Sequence, residues 1–266
     1  MGFWSSVTSA VRRGCDWVKD KYQDLKEKGR EICDRVADRI SDWTDRAERK
    51  YEEVKEKIKQ TYHETKEKVK DAIKGWQVRS THPGYVPTKP DQEAARKAKD
   101  YLDSKFRRGV KETLQDMTSW ERVETIKDVV NQASEILNVK VDDIELYAPD
   151  EFNQGTCGYF NREDNTLHIN AYMITCDRAE LVEEQVYTVF HELMHARQFA
   201  AVTGKKDYGY PPETLLDWAQ NFKNYISPGE SDEGYRHQPL ERDAFGFEAI
   251  LKGEFTIEEF VKHNTK

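Results

Sequence analysis

Apolar residues recur at a fixed spacing in the first third of the chain. Between residues 32 and 76 the steps are four, four and three, repeated, in one series: Ile32, Val36, Ile40, Trp43, Ala47, Tyr51, Val54, Ile58, Tyr62, Thr65, Val69, Ile73 and Trp76. Eleven residues make about three turns of an α-helix. The pattern therefore predicts a long amphipathic helix over residues 1–76, with its apolar stripe on one face. Gly14 and Gly29 are the positions where this helix could break.

The apolar stripe of the helix needs something to cover it. Three alternatives are open: a second helix of the same kind, a lipid surface, or a hairpin folded back on itself. The repeat resembles the eleven-residue repeats of apolipoproteins and late-embryogenesis-abundant proteins. Charges of both signs border the stripe, as in the pair Glu53 and Lys57, and this favours a self-associating coiled coil. The N-terminal edge of Phe3, Trp4 and Val7 is the part best suited to a membrane interface.

The regular apolar spacing ends at Trp76, and the composition of the chain changes after it. The segment QVRSTHPGYVPTKP, residues 77–90, carries three prolines and a glycine, which are typical of a linker. We therefore expect three parts: an amphipathic helical rod at 1–76, a proline-rich linker at 77–90, and a folded domain at 91–266. A domain with these bounds is expected to work without the rod.

The domain at 91–266 is expected to have an α+β fold with a small, mostly antiparallel sheet. Helical spacing alternates with short strand-like segments, and a polar turn at REDN joins two of the strands as a hairpin. The predicted elements are helices at 91–106 and 110–137, strands at 143–148, 157–161 and 166–174, and helices at 178–203, 212–226 and from Pro239 onward.

Composition narrows the classes of function. Charged residues make up 35% of the 266 residues, and the net charge of −8 divides into +3 for residues 1–76 and −11 for the remainder. An acidic second part does not favour a nucleic-acid partner. No apolar run is long enough for a transmembrane helix, and the N-terminus lacks the pattern of a Sec signal peptide. The four widely spaced cysteines are typical of reduced thiols. We therefore expect a cytoplasmic protein or one exported without a Sec signal, with peripheral membrane attachment left open.

The segment FHELMHARQ, residues 190–198, carries the clearest chemical signal. His191 and His195 are four residues apart, so on a helix both imidazoles lie on one face, one turn apart. Two imidazoles and a carboxylate are ligands typical of a catalytic Zn²⁺ site. Glu192 is displaced around the helix from that face. We expect it to act as a general base on water rather than as a ligand.

This segment resembles the active-site helix of zincin metallopeptidases, and the predicted order of elements over residues 105–250 resembles a minimal zincin domain. The resemblance implies a zinc-dependent endopeptidase. Gln198 and Ala201 stand where the metzincin class has glycine and histidine, which excludes that class. PLERDA resembles the P-x-E-x-x-A element of gluzincin-like families and implies Glu241 as the third ligand. The other candidates for that ligand are Asp243, His237, Glu230, Asp232 and Glu233.

Two further expectations concern a peptide substrate. Tyr235 is expected to donate a hydrogen bond to the oxyanion that forms during hydrolysis. The strand LHIN, residues 167–170, is expected to offer a free edge to an extended peptide, with His168 pointing to solvent. Two other functions stay open: a non-enzymatic helical scaffold or lipid-surface protein with an inactive zincin-like domain, and a secreted protease effector or toxin.

Overall fold

The computed structural model describes residues 3–148 and 156–265. Within its first helix, the side chains of residues 3–15, 17 and 18 are not among those described. The N-terminal edge expected at Phe3, Trp4 and Val7 therefore lies outside the described part. The chain divides into two compact units, residues 1–70 and residues 71–266.

The first element, α1, is a single helix from Phe3 to Thr81. Neither Gly14 nor Gly29 interrupts it, so the hairpin alternative is wrong. The large apolar side chains of the stripe are each at least half exposed, with exposed fractions between 50% for Val36 and 70% for Trp43. Within the described residues the stripe is thus left uncovered by the chain itself.

The last turns of α1 belong to the second unit. Lys74 Nζ donates to the backbone carbonyl of Glu254 at 3.0 Å, and Asp71 pairs with Lys262. Val78 is fully buried, and Tyr85, in the turn that follows the helix, is 1% exposed. The segment expected to be a linker thus begins as helix and contributes two side chains to the core.

The second unit has an α+β architecture, as predicted. After α1 come the helices and strands α2 (Lys89–Lys105), α3 (Val110–Gln115), α4 (Ser119–Leu137), β1 (Asp143–Tyr147), β2 (Gly158–Asn161), β3 (Thr166–Asn170), α5 (Ala171–Thr175), α6 (Ala179–Val202), α7 (Pro212–Lys223), α8 (Asp232–His237), α9 (Pro239–Leu251) and α10 (Ile257–Asn264). The single helix expected at 110–137 is two helices, because Thr118 and Glu121 form a reciprocal cap that starts α4.

The sheet has three strands in the order β1-β3-β2. The hairpin of β2 and β3 is antiparallel, as predicted, but β1 pairs with β3 in parallel. The sheet is therefore mixed rather than mostly antiparallel. Since β3 is the central strand, LHIN has no free edge, and that expectation is wrong. The strand also stops at Asn170, whose side chain accepts the backbone N–H of Tyr172 and caps α5.

Helix α6 lies at the centre of the second unit. Val189, Phe190, Leu193 and Met194 on it have no exposed surface, because α3, α4, α7, α9 and the sheet all contact this helix. Burial on several sides fixes the position of the polar residues between these apolar ones. Among the described residues, no helix combines the length and apolar character needed to cross a membrane.

Candidate metal centre

Helix α6 holds His191, Glu192 and His195 in the arrangement expected from their spacing. The two imidazole rings lie 4.9 Å apart, centre to centre, and meet edge to face. His191 is 5% exposed. The helix is packed over most of its surface, so these side chains project from a rigid support.

Helix α9 brings Glu241 to the same place. Its Oε2 lies 3.2 Å from Nε2 of His191, and its Oε1 lies 3.2 Å from Nε2 of His195. Glu241 is 1% exposed. One ligand atom from each of the three residues lies within 4.8 Å of the other two. This buried group could hold a metal ion.

The position of Glu241 is set by the start of α9. Pro239 lies in the first helical turn, where its missing N–H costs nothing. The N–H of Leu240 donates to Oδ1 of Asn221 at 2.9 Å, and the carbonyl of Leu240 accepts from Nε2 of Gln198 at 3.0 Å. Side chains of α6 and α7 thus both hydrogen-bond to the backbone of the first turn of α9 and fix its position.

The far nitrogen of each imidazole has its own partner. Nδ1 of His191 lies 2.9 Å from Oε2 of Glu248, and Nδ1 of His195 lies 2.9 Å from Oε1 of Gln198. The Gln198 oxygen acts as an acceptor because its amide nitrogen donates elsewhere. An ionised carboxylate also only accepts. Both Nδ1 atoms therefore carry hydrogen, and both Nε2 atoms face Glu241.

Glu248 belongs to a chain of charges that sequence reasoning missed. Its Oε1 accepts from Nζ of Lys252 at 2.6 Å, and Lys252 also pairs with Glu184 at 2.8 Å. Although burial opposes it, the hydrogen bond and charge of His191 together with Lys252 lower the pKa of Glu248 to about 2. Glu248 is seven residues beyond Glu241, two turns along the same helix face, which is the signal that could have identified it.

The electrostatics of His191, His195 and Glu241 favour a charged cluster. Burial alone would lower the pKa of His191, but its hydrogen bonds to Glu241 and Glu248 and the charge of the nearby carboxylates raise it well above its ordinary value. The pKa of His195 is also raised, because Glu241 outweighs burial. The two imidazoles hold the pKa of Glu241 far below its usual range. Carboxylate and imidazolium charges compensate one another in a buried place.

Glu192 sits beside this group without belonging to it. Its Oε2 accepts the backbone N–H of Phe160 on β2 at 3.0 Å. Burial raises the pKa of its carboxyl group. A carboxylate held by a single hydrogen bond and with a raised pKa is suited to taking and returning a proton.

Two tyrosines approach from the segment before α9. Tyr225 OH donates to Oε1 of Glu241 at 2.6 Å, a contact that the sequence did not suggest because a loop offers no periodic pattern. Tyr235 is partly buried between Tyr225 and Phe245, with ring centres 6.2 Å and 6.0 Å away. Burial and the Glu241 charge raise the pKa of both hydroxyls. Tyr235 stands close to the site, but Tyr225 makes the direct bond.

None of the remaining ligand candidates belongs to the group of His191, His195 and Glu241. Asp243 accepts from Nε1 of Trp218 at 2.9 Å and pairs with Arg242 at 2.7 Å, away from the imidazoles. His237 and the three loop acids are exposed. His168 does not point to solvent as expected: it is 8% exposed and stacks on Tyr159 with ring centres 4.3 Å apart.

A cleft of about 870 Å³ opens beside the group. One wall comes from the end of α1 and the turn after it, at Ser80, Thr81 and His82; others come from β2, α6, α8 and α9. His191, Glu192 and Tyr235 all face this cleft. The group is therefore buried yet reachable from a space large enough for several residues of a peptide.

Comparison of the chain with protein-family models, with curated proteins and with solved structures finds no match in any of the three.

Proposed function

We propose that the second unit is a zinc-dependent endopeptidase of the zincin type. The observation that carries this proposal is that Nε2 of His191 and Nε2 of His195 each lie 3.2 Å from the Glu241 carboxylate, with Glu192 next to His191 on the same helix. Glu192 lies at the cleft wall, where a substrate can reach it.

The donor set suits zinc better than other common ions. Zinc in catalytic sites takes two imidazole nitrogens and a carboxylate and leaves one position for water. Magnesium and calcium prefer sets made only of oxygen. The partners of the Nδ1 atoms, Glu248 and Gln198, orient both imidazoles with Nε2 toward the ion, as supporting groups do in zinc sites.

The chain's own residues supply the proton transfers. A bound zinc ion makes a nearby water more acidic and polarises the substrate carbonyl. Glu192 accepts the proton of the water that attacks the carbonyl carbon. As the carbon–nitrogen bond breaks, Glu192 returns that proton to the leaving amine. The hydroxyl of Tyr235, at the wall of the cleft, donates a hydrogen bond to the developing oxyanion.

The cleft and the edge strand beside it support a peptide as the substrate. The N–H of Phe160 points away from β3 and toward Glu192, so β2 has backbone groups on the side of the site. An extended peptide could pair with such an edge. Side chains of both charge signs line the cleft, including Glu184, Arg236 and Lys252, which suits a polar peptide segment.

Metal content and cleavage together test the proposal. The full chain should hold about one zinc per molecule and cleave an unfolded protein such as casein. Glu192→Gln should keep the zinc and lose cleavage by at least about a hundredfold. Glu180→Gln, the same change on an exposed position of α6, should alter neither.

Two results count against the proposal. A wild-type chain that binds zinc but cleaves no unfolded protein has a structural site, which favours the non-enzymatic scaffold. A Glu192→Gln variant as active as the wild type rules out Glu192 as the base.

A further inference from the structure

The charges of α1 are sorted by their position around the helix. With an eleven-residue period, each side chain of residues 32–76 has a fixed angle from the centre of the apolar stripe. Ten of the twelve Lys and Arg in this range lie on the two flanks, within roughly 100° of that centre, and ten of the eleven Asp and Glu lie on the opposite face. The exceptions are Glu48, Arg49 and Lys74.

Four neighbouring pairs make the sorting visible in the sequence. Each successive repeat has an acid on the far face followed at once by a cation on the flank: Asp34–Arg35, Asp45–Arg46, Glu56–Lys57 and Glu67–Lys68. The expectation that both signs border the stripe came from reading charges along the chain. By angle around the helix, one border is basic from Arg35 to Lys68, and the other is basic from Lys55 to Lys70.

The stripe between the basic flanks is exposed and rich in aromatic residues. Trp43, Tyr51, Tyr62 and Trp76 are each at least 64% exposed. Trp and Tyr combine an apolar ring with a polar atom and are enriched where hydrocarbon meets water. Leucine, the usual residue of a coiled-coil seam, does not occur between residues 32 and 76.

A second copy of the helix is a poor partner for this face. Coiled-coil partners place opposite charges across the seam. One flank is basic from Arg35 to Lys68 and the other from Lys55 to Lys70. Two copies would therefore bring Lys or Arg against Lys or Arg along part of the seam in either orientation. The charges that oppose self-association are the same ones that attract an anionic surface.

The final turns of α1 leave the stripe free. Asp71, Lys74 and Val78 make the contacts with the rest of the second unit, and Gly75 is buried. Ile73 and Trp76, in the same turns, remain 53% and 66% exposed. The rest of the second unit therefore packs on the side of these turns that faces away from the stripe.

From these observations we infer that α1 binds the surface of an anionic lipid bilayer through its apolar stripe. Trp, Tyr, Ile and Val enter the boundary between headgroups and acyl chains. The Lys and Arg stems run along the apolar edge and place their charges at the phosphates. The acids on the opposite face stay in water. This inference does not depend on the peptidase activity.

A rearrangement of charge without a change of composition tests it. In the permuted chain the members of the four pairs trade places: D34R/R35D, D45R/R46D, E56K/K57E and E67K/K68E. Net charge, composition and the stripe are unchanged. Co-sedimentation with phosphatidylcholine vesicles containing phosphatidylglycerol should show binding of the wild-type full chain, and at least about tenfold weaker binding of the permuted chain.

A matched control keeps every moved group on its own face. Gln60 and Glu64 trade places on the far face, and Lys50 and Thr61 trade places on one flank. This control should bind within about twofold of the wild type. For the wild type, binding should also fall steeply when sodium chloride rises from about 0.1 M to about 0.5 M, which tests the charge contribution even if the permuted chain loses helix by circular dichroism.

Three results would overturn the inference. The permuted chain binds anionic vesicles as well as the wild type does; the wild type binds pure phosphatidylcholine vesicles equally well; or the wild type forms a dimer at micromolar concentration that does not bind vesicles. The last result assigns the stripe to a second copy.

Discussion

Nδ1 of His191 and Oε2 of Glu248 lie 2.9 Å apart, on the side of the imidazole away from Glu241. The contact fixes which nitrogen of His191 keeps its hydrogen when a metal takes the other. It also ties α6 to the third turn of α9, two helical turns beyond the Glu241 contact. Loss of a group that supports a metal-binding imidazole in this way typically lowers metal affinity by about 10- to 100-fold.

Replacing Glu248 should weaken metal binding without removing the site. We expect Glu248→Gln to lower zinc affinity by about 10- to 100-fold, because the neutral amide orients His191 less firmly. Glu241→Ala should lower it much further, since two remaining ligands cannot close a tetrahedral site. Competition with a chelating dye measures both affinities.

Asp243→Ala is the control for these variants, because it removes a buried acid from the same helix away from the imidazoles. It should destabilise the fold through Trp218 but leave zinc affinity within about threefold. An Asp243 variant that loses more zinc than the Glu241 variant would reassign the third ligand.

The stability of the metal-free protein should depend on pH in a defined direction. The raised pKa of His191 and His195 means that their stabilisation is complete below about 6.5 and is lost as pH rises through the raised values. The lowered pKa of Glu248, about 2, adds stabilisation that is present above about 4.5 and is lost as pH falls. We expect the highest melting temperature of the chelator-treated protein between about pH 4.5 and 6.5.

The zinc-loaded protein serves as the comparison. Zinc replaces the protons on the Nε2 atoms, so the zinc-loaded protein should not lose stability as pH rises toward about 9. The affinity for zinc should fall as pH falls, because protons then compete for the Nε2 atoms. Thermal unfolding of both forms across this range measures it. A metal-free protein that becomes more stable from about pH 6.5 to pH 9 contradicts the charge assignment of the cluster.

The two tyrosines should separate into different roles. Tyr225→Phe removes the 2.6 Å bond to Glu241 and should lower zinc affinity, by about tenfold. Tyr235→Phe should leave zinc in place and lower kcat by about a hundredfold, as expected of an oxyanion donor. Equal kcat in the Tyr235 variant and the wild type would remove Tyr235 from the catalytic group.

A fragment of residues 71–266 should fold, and one of residues 91–266 should not. The shorter fragment lacks Val78 and Tyr85, which are 0% and 1% exposed. The Tyr85 ring lies where a Cβ on Gly246 would be, 2.1 Å from Cδ1, so its loss opens a cavity beside α9. Loss of a buried aromatic side chain alone costs about 3–5 kcal/mol. Thermal unfolding and zinc content of both fragments test where the folded unit begins. Equal stability of the two fragments would place its first residue at 91 rather than 71.

Much of the site could be predicted because it depends on short-range helix geometry. The spacing of His191 and His195 places both rings on one face whatever the rest of the fold does. Glu241 needed a second helix, and a short motif suggested it. Tyr225 could not be found, because its contact with Glu241 depends on the path of a loop rather than on any repeat in the sequence.

The fold shows the same division between local and distant contacts. The hairpin of β2 and β3 follows from the turn at residues 162–165, whereas the parallel pairing of β1 with β3 joins segments that no sequence pattern links. Residues 77–90 have the composition of a linker, but burial of Val78 and Tyr85 depends on helices more than a hundred residues away. The sorting of charges on α1 was present in the sequence and is visible only when each residue is placed by angle.

The repeat of α1 also restricts how the helix can change in length. Inserting one residue turns everything after it by about 100°, which would carry apolar residues out of the stripe and acids to its border. An insertion or deletion of eleven residues, about 16 Å of helix, keeps every side chain on its face. Viable length variants of this rod should therefore differ from one another in steps of whole repeats.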